Sequence, residues 1–167
     1  GGRRIIKQKT VADAKSKLYS IVKVLSEEGT ADLESLQMPG VFSYPKPRRL
    51  MQQLVQAAAS VDGDIVLDLF SGSGSTVHGL FDQSVADGVD RRFIAIQLAE
   101  DLDEQLPRVS GPAKVVVQAG IDFTDSLDRP HTVVEITKER IRRAGVQATD
   151  AADLAATGLD TGFRVLK

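Results

Sequence analysis

Two hydrophobic patterns alternate along the chain. The first is a short run with no polar outer face: Ile65-Val66-Leu67 between Asp64 and Asp68, and Phe93-Ile94-Ala95-Ile96 between Arg92 and Gln97. Such strands fit a parallel sheet covered on both sides. The second is the helical stripe. Val11, Ala14, Leu18, Ile21, Val22 and Leu25 predict an amphipathic helix over 11–28, with Gly29 as its stop. A short helical turn near Asp32–Leu36 and a loop through Pro39-Gly40 follow. Leu50, Met51, Leu54, Val55 and Ala58 carry a helix to about Ser60, with Pro47 suited to its first turn. Thr76–Val85 reads as the helix behind the first strand. Asp101–Leu106 reads as a short helix capped by Glu100 or Asp101, and Thr132–Ala144 as a longer one ended by Gly145. Lys114–Gln118 and Gly162–Leu166 read as strands, Asp122–Pro130 as a loop, and 146–158 as a surface connection with room for a short helix. The fold class is α/β.

The first strand runs directly into Asp68-Leu69-Phe70-Ser71-Gly72-Ser73-Gly74-Ser75-Thr76. Gly72 and Gly74 allow a tight backbone and leave no side chain between the turn and a ligand. The following helix aims free N–H groups and a positive dipole end at the same place. This is a turn of nucleotide-binding type, although such turns also close ordinary βα units. Two common fingerprints fail on spacing. The dinucleotide pattern G-x-G-x-x-G needs a third glycine where Val77 stands, and a phosphate loop needs a lysine that does not follow Gly74.

Composition narrows the setting. With 42% apolar and 26% charged residues among 167, the chain reads as one soluble globular domain with a real core. No apolar run approaches the roughly 18 residues of a membrane span. Gly1-Gly2-Arg3-Arg4 opens no signal peptide, and the absence of cysteine agrees with a cytoplasmic protein. Two histidines without ligand spacing speak against a zinc site, and no metal ligands are assigned. His78, alone inside a helix, reads as a packed residue rather than a base. A net charge of −2 argues against a free-standing nucleic-acid binder. The basic clusters at Arg48-Arg49, Arg91-Arg92 and Lys138–Arg143 read as solvated element ends.

Asp68-x-Phe70-x-Gly72-Ser73-Gly74-Ser75-Thr76 resembles motif I of amino-methylating DNA methyltransferases, D-x-F-x-G-S-G-T-T, which binds S-adenosylmethionine. Ser75 for Thr is the single departure, and it keeps the hydroxyl. Phe42-x-x-Pro45-Lys46-Pro47-x-x-Leu50 resembles motif X of the same enzymes. With Arg91–Glu100, Ile136–Arg143 and Asp160–Lys167 in the same order, residues 29–167 resemble the modification subunits of type III restriction-modification systems, to which residues 1–28, a basic segment and helix, add little.

The resemblance implies a partial Rossmann-like, S-adenosylmethionine-dependent methyltransferase sheet with flanking helices. It implies cofactor contacts from Lys46 and Pro47, and from Asp68, Phe70, Gly72, Ser73, Gly74, Ser75 and Thr76. Gln97 stands where an acidic residue commonly holds the ribose, and brings hydrogen bonds without charge. In the family, an Asp-Pro-Pro-Tyr type of motif grips a flipped adenine for N6 methylation. Here all six prolines are isolated, so no catalytic residue is assigned. In the family's motif order that motif and the target-recognition region precede motif X. The expectation is therefore the cofactor-binding half of a DNA adenine-N6 methyltransferase, inactive alone. It would meet DNA through the absent half, work beside a restriction subunit, and self-associate through an uncovered sheet. A degenerate, non-catalytic interaction module is the alternative; a complete methyltransferase for RNA or small molecules lacks candidate catalytic residues.

Overall fold

The computed structural model describes residues 21–151 and 159–166. Its elements run α1 (Glu27–Ser35), α2 (Arg48–Ala58), β1 (Ile65–Asp68), α3 (Ser75–Asp87), β2 (Arg92–Ala95), α4 (Leu102–Gln105), α5 (Pro112–Ser126) and α6 (Val133–Ala151). Both short apolar runs are strands, and they pair in parallel with Ile65 opposite Arg92, Leu67 opposite Ile94 and Asp68 opposite Ala95. A parallel pair needs a crossover, and α3 supplies it.

One face of this sheet meets the core. Val66, Phe93 and Ala95 pack against a cluster that includes Val55, Val77, Leu80 and Phe81, with Phe81 and Phe93 edge-to-face at 5.9 Å. The expected cover on both sides is not there among the described residues. Ile65, Leu67 and Ile94 are each more than half exposed on the opposite face (55%, 56% and 51%), because the core cluster packs on the Val66–Phe93 side.

Several local expectations are corrected. Gly29 does not stop a helix: α1 runs through it, and a Cβ there would lie 1.9 Å from the Pro45 carbonyl oxygen, so the glycine permits a close approach. Of the helix expected over 11–28, residues 11–20 lie outside the described residues and 21–25 are not helical. Lys114–Gln118 is the first half of α5, which also takes in Asp122–Ser126. The β-branched Val115-Val116-Val117 mimics a strand, but Gly120, Ile121 and Thr124 continue a buried helical stripe. Gly145 does not end α6; it lets Thr161 approach, with a Cβ only 3.1 Å from the Thr161 Cβ. Residues 146–151 stay helical, and 152–158 lie outside the described residues. Gly162–Leu166 pairs with no strand among the described residues, although Phe163 reaches Phe93 at 6.3 Å.

Two basic residues are not solvated ends. Arg91 and Arg140 are buried at 3% and 0% exposure. Arg91 donates to the Ala59 carbonyl and to Asp87, bracing the ends of α2 and α3. Arg140 lies on the buried stripe of α6 with Ile136 and Ala144. Asp101 caps α4 as expected, accepting from the Asp103 and Glu104 N–H groups.

Candidate functional site

The chemistry of the molecule gathers where β1 stops. Asp68, its last residue, accepts from the Phe70 N–H at 3.1 Å through one carboxylate oxygen and from the Thr76 hydroxyl at 2.6 Å through the other. The turn between them closes on itself, with the Gly74 N–H donating to the Ser71 carbonyl at 2.7 Å. Gly72 and Gly74 hold positive φ, +51° and +81°, where side chains are strained. A Cβ on Gly72 would touch the Phe42 ring at 3.4 Å; one on Gly74 would touch Ile141 and the Thr137 carbonyl, also at 3.4 Å. The turn is therefore pressed between the motif X segment and α6. The Thr137 hydroxyl donates to the Gly72 carbonyl from that helix.

Gly74 is the N-cap of α3 and no side chain caps it, so the first-turn N–H groups have no side-chain partner there. Ser75 and Thr76 of this helix start border a cleft of about 590 Å³, lined from β1 by Val66 and Leu67 and otherwise by three segments. Phe42, Tyr44 and Lys46 come from the Pro-rich segment, Met51, Leu54 and Val55 from α2, and Asp68, Phe70, Ser71, Gly72, Ser73, Ser75 and Thr76 from the turn. The structure thus brings Lys46 to Asp68, Phe70, Gly72, Ser73, Ser75 and Thr76 around one space. Pro47 precedes α2 as its N-cap, and Gly74 sits behind the turn. Gln97 does not line the cleft. Its side-chain oxygen accepts from the Gly72 N–H at 2.7 Å, so it braces the turn from the β2 side.

Sequence reasoning passed over Tyr44 and Met51. Tyr44 is 92% exposed with a left-handed φ of +52° and lines the same cleft as the 85% exposed Phe70. His78 is buried, hydrogen-bonded to Gln147 at 3.2 Å, and burial, with Arg140 and Arg48 nearby, lowers its pKa to about 3. It is a neutral packed imidazole, as its isolation implied.

A comparison with known families decides the kinship. The family described as DNA methylase matches residues 4–105. The chain belongs to the DNA methylase family. This methylase chain is 32% identical over 139 residues to the type III restriction-modification enzyme StyLTI Mod subunit of Salmonella typhimurium, covering 83% of its own length and 18% of that protein. It is 31% identical over 151 residues to the EcoP15I Mod subunit of Escherichia coli (88% and 20%) and 30% identical over 137 residues to the EcoPI Mod subunit of Escherichia phage P1 (82% and 18%). The resemblance read from the motifs holds over most of the chain, and the family match starts at residue 4, ahead of the motifs. The chain spans about a fifth of the length of these relatives, 18% to 20%. Among the described residues no helix is long and apolar enough to cross a membrane.

Proposed function

We propose that this chain is the S-adenosylmethionine-binding half of a site-specific DNA adenine-N6 methyltransferase of a restriction-modification system. The observation that carries the reading is the shared cleft: the motif I turn forms its floor and the motif X segment its wall. The residues fit the cofactor. The floor offers an uncapped helix start, a turn whose Gly72 holds a positive φ that side chains rarely adopt, and the unpartnered buried Ser71 hydroxyl, all suited to an anionic and polar end. The wall offers Phe42, Tyr44, Phe70 and Met51 for apolar and aromatic contact.

In this reading the N–H groups at the start of α3 hold the carboxylate, Asp68 accepts from the α-amino group, Phe70 closes over the ligand, and Lys46 meets it from the motif X side. Pro47 and Gln97 act by fixing the segment and the turn. The two-stranded sheet is part of a Rossmann-like methyltransferase sheet. S-adenosylmethionine supplies an activated sulfonium methyl group, so the protein's work is orientation and exclusion of water. Base gripping and target reading belong to the half that carries an Asp-Pro-Pro-Tyr type of motif; this chain has no Pro-Pro pair and does not methylate DNA alone. DNA is met through that half, a restriction subunit is the functional companion, and the setting is the cytoplasm. The uncovered face of Ile65, Leu67 and Ile94 makes the isolated chain self-associate.

Calorimetry with S-adenosylmethionine tests the reading: heat at micromolar ligand supports it. A second reading, a degenerate interaction module, is favoured by one observation, the use of Gln97 inside the turn instead of on the cleft. Silence up to millimolar ligand would decide for it.

A further inference from the structure

Behind the Gly-rich turn lies a cation with no acid beside it. Arg140 is 0% exposed, and no ion pair among the described residues includes it. Its guanidinium donates to Ser73 Oγ at 2.8 Å and Ser75 Oγ at 2.9 Å, lies 3.5 Å from His78 Nδ1, and leaves Nε with no partner. Burial pulls its pKa down to about 10, which still leaves it charged at neutral pH. Asp32 and Asp82 act on it only from a distance, each being paired with Arg48. A buried charge whose partners are all neutral is costly to keep.

The serines transmit that charge to the cleft. Ser73 and Ser75 are themselves buried, 3% and 4% exposed, and both line the cleft. Their Oγ atoms are 3.0 Å apart, so one hydroxyl hydrogen is used between them. Arg140 occupies their lone pairs, so the remaining hydrogen turns away from the guanidinium. Ser71, 6% exposed and also lining the cleft, has a hydroxyl with no partner. With the uncapped N–H groups of α3, this end of the cleft is a set of donors backed by a positive charge.

We propose that Arg140 is a positioning residue: it sets the Ser73–Ser75 pair as donors and makes this end of the cleft select a ligand bearing a carboxylate. The inference rests on the S-adenosylmethionine reading and deepens it, by naming what discriminates the carboxylate end. The neutral serine hydroxyls reach the carboxylate beside the α3 N–H groups, and the cation in α6 orients them.

The test is a ratio of affinities on the 167-residue chain. S-adenosylmethionine and its decarboxylated analogue are titrated by calorimetry into the wild type, Arg140→Met and the double variant Ser73→Ala/Ser75→Ala, each checked for a cooperative melt. The wild type is expected to prefer the carboxylated ligand by at least about tenfold. Both variants should cut that preference to about threefold or less, by weakening only the carboxylated ligand, the α3 N–H groups keeping the remainder. A folded variant that keeps the preference, or that weakens both ligands alike, overturns the proposal. Should Arg140→Met fail to fold, the double serine variant decides on the same ratio. A wild type that binds both ligands equally sinks this inference alone; one that binds neither sinks the cofactor reading and takes this inference with it.

Discussion

Thr76 Oγ1 donates to Asp68 Oδ2 across 2.6 Å, joining the last residue of β1 to the first turn of α3. The same carboxylate holds the Phe70 N–H with its other oxygen. One side chain therefore fixes both limbs of the turn that floors the cleft.

Asp68→Ala removes both bonds and should cost about 2 kcal/mol of stability, since hydrogen bonds to a charged group contribute more than neutral ones. Affinity for S-adenosylmethionine should fall by about tenfold or more, read by calorimetry. Thr76→Val removes one bond and should do less on both counts. Unchanged binding by a folded Asp68→Ala chain would remove the pocket assignment.

Gly79 lies where α2 and α3 touch. A Cβ there would stand 2.6 Å from the Gln52 nitrogen and 2.7 Å from the Arg48 carbonyl oxygen, both backbone atoms that cannot swing aside. Gly79→Ala should therefore destabilise by about 1–3 kcal/mol in urea titration, although alanine favours a helix by itself. A stabilised variant would contradict this packing.

His78 makes the fold sensitive to acid. Burial, then Arg140 and Arg48, lowers its pKa from 6.5 to about 3. Between those values the unfolded chain binds the extra proton, so stability rises with pH and is lost as pH falls below 6.5. The loss approaches ~4 kcal/mol near the lower limit. Asp82, raised by burial, works in the opposite direction over its own range, so the useful quantity is the difference between wild type and His78→Gln. That difference should shrink steadily on acidification; a constant offset from pH 7 to 4 would show that the imidazole does not titrate on unfolding.

The open sheet face should drive self-association. Ile65 and Ile94, 55% and 51% exposed, present apolar surface on the side away from α3. Sedimentation should show concentration-dependent association that Ile65→Lys/Ile94→Lys abolishes while the melt is kept. A monomer at high concentration in the wild type would count against it.

Where the residues determine structure within a few positions, the sequence was legible. Both strands were bounded by charge and turn residues, the helix after Pro47 announced itself by φ-fixed proline and a clean stripe, and Asp101 capped α4 as its side chain requires. The small-residue turn after Asp68 named its own backbone shape through Gly72 and Gly74. Its family followed from the order of motifs.

Distant contacts were not legible. Gly29 and Gly145 read as helix stops, yet each is needed because Pro45 or Thr161 comes close; a glycine declares a missing side chain without saying whether backbone freedom or a neighbour demands it. Val115-Val116-Val117 read as a strand because β-branching is a local preference that burial on one helical face overrides. Gln97 holds the Gly72 N–H, a bond no local pattern announced, and Arg140 looked solvated and instead sits beneath the two serines. The sequence by itself determined the turn, its two strands and its kinship. Only the tertiary structure decided which side of the sheet is covered and which charge stands behind the turn. The first depends on how the whole core packs, the second on where α6 comes to rest, more than sixty residues along the chain from the turn it supports, and no local pattern encodes either.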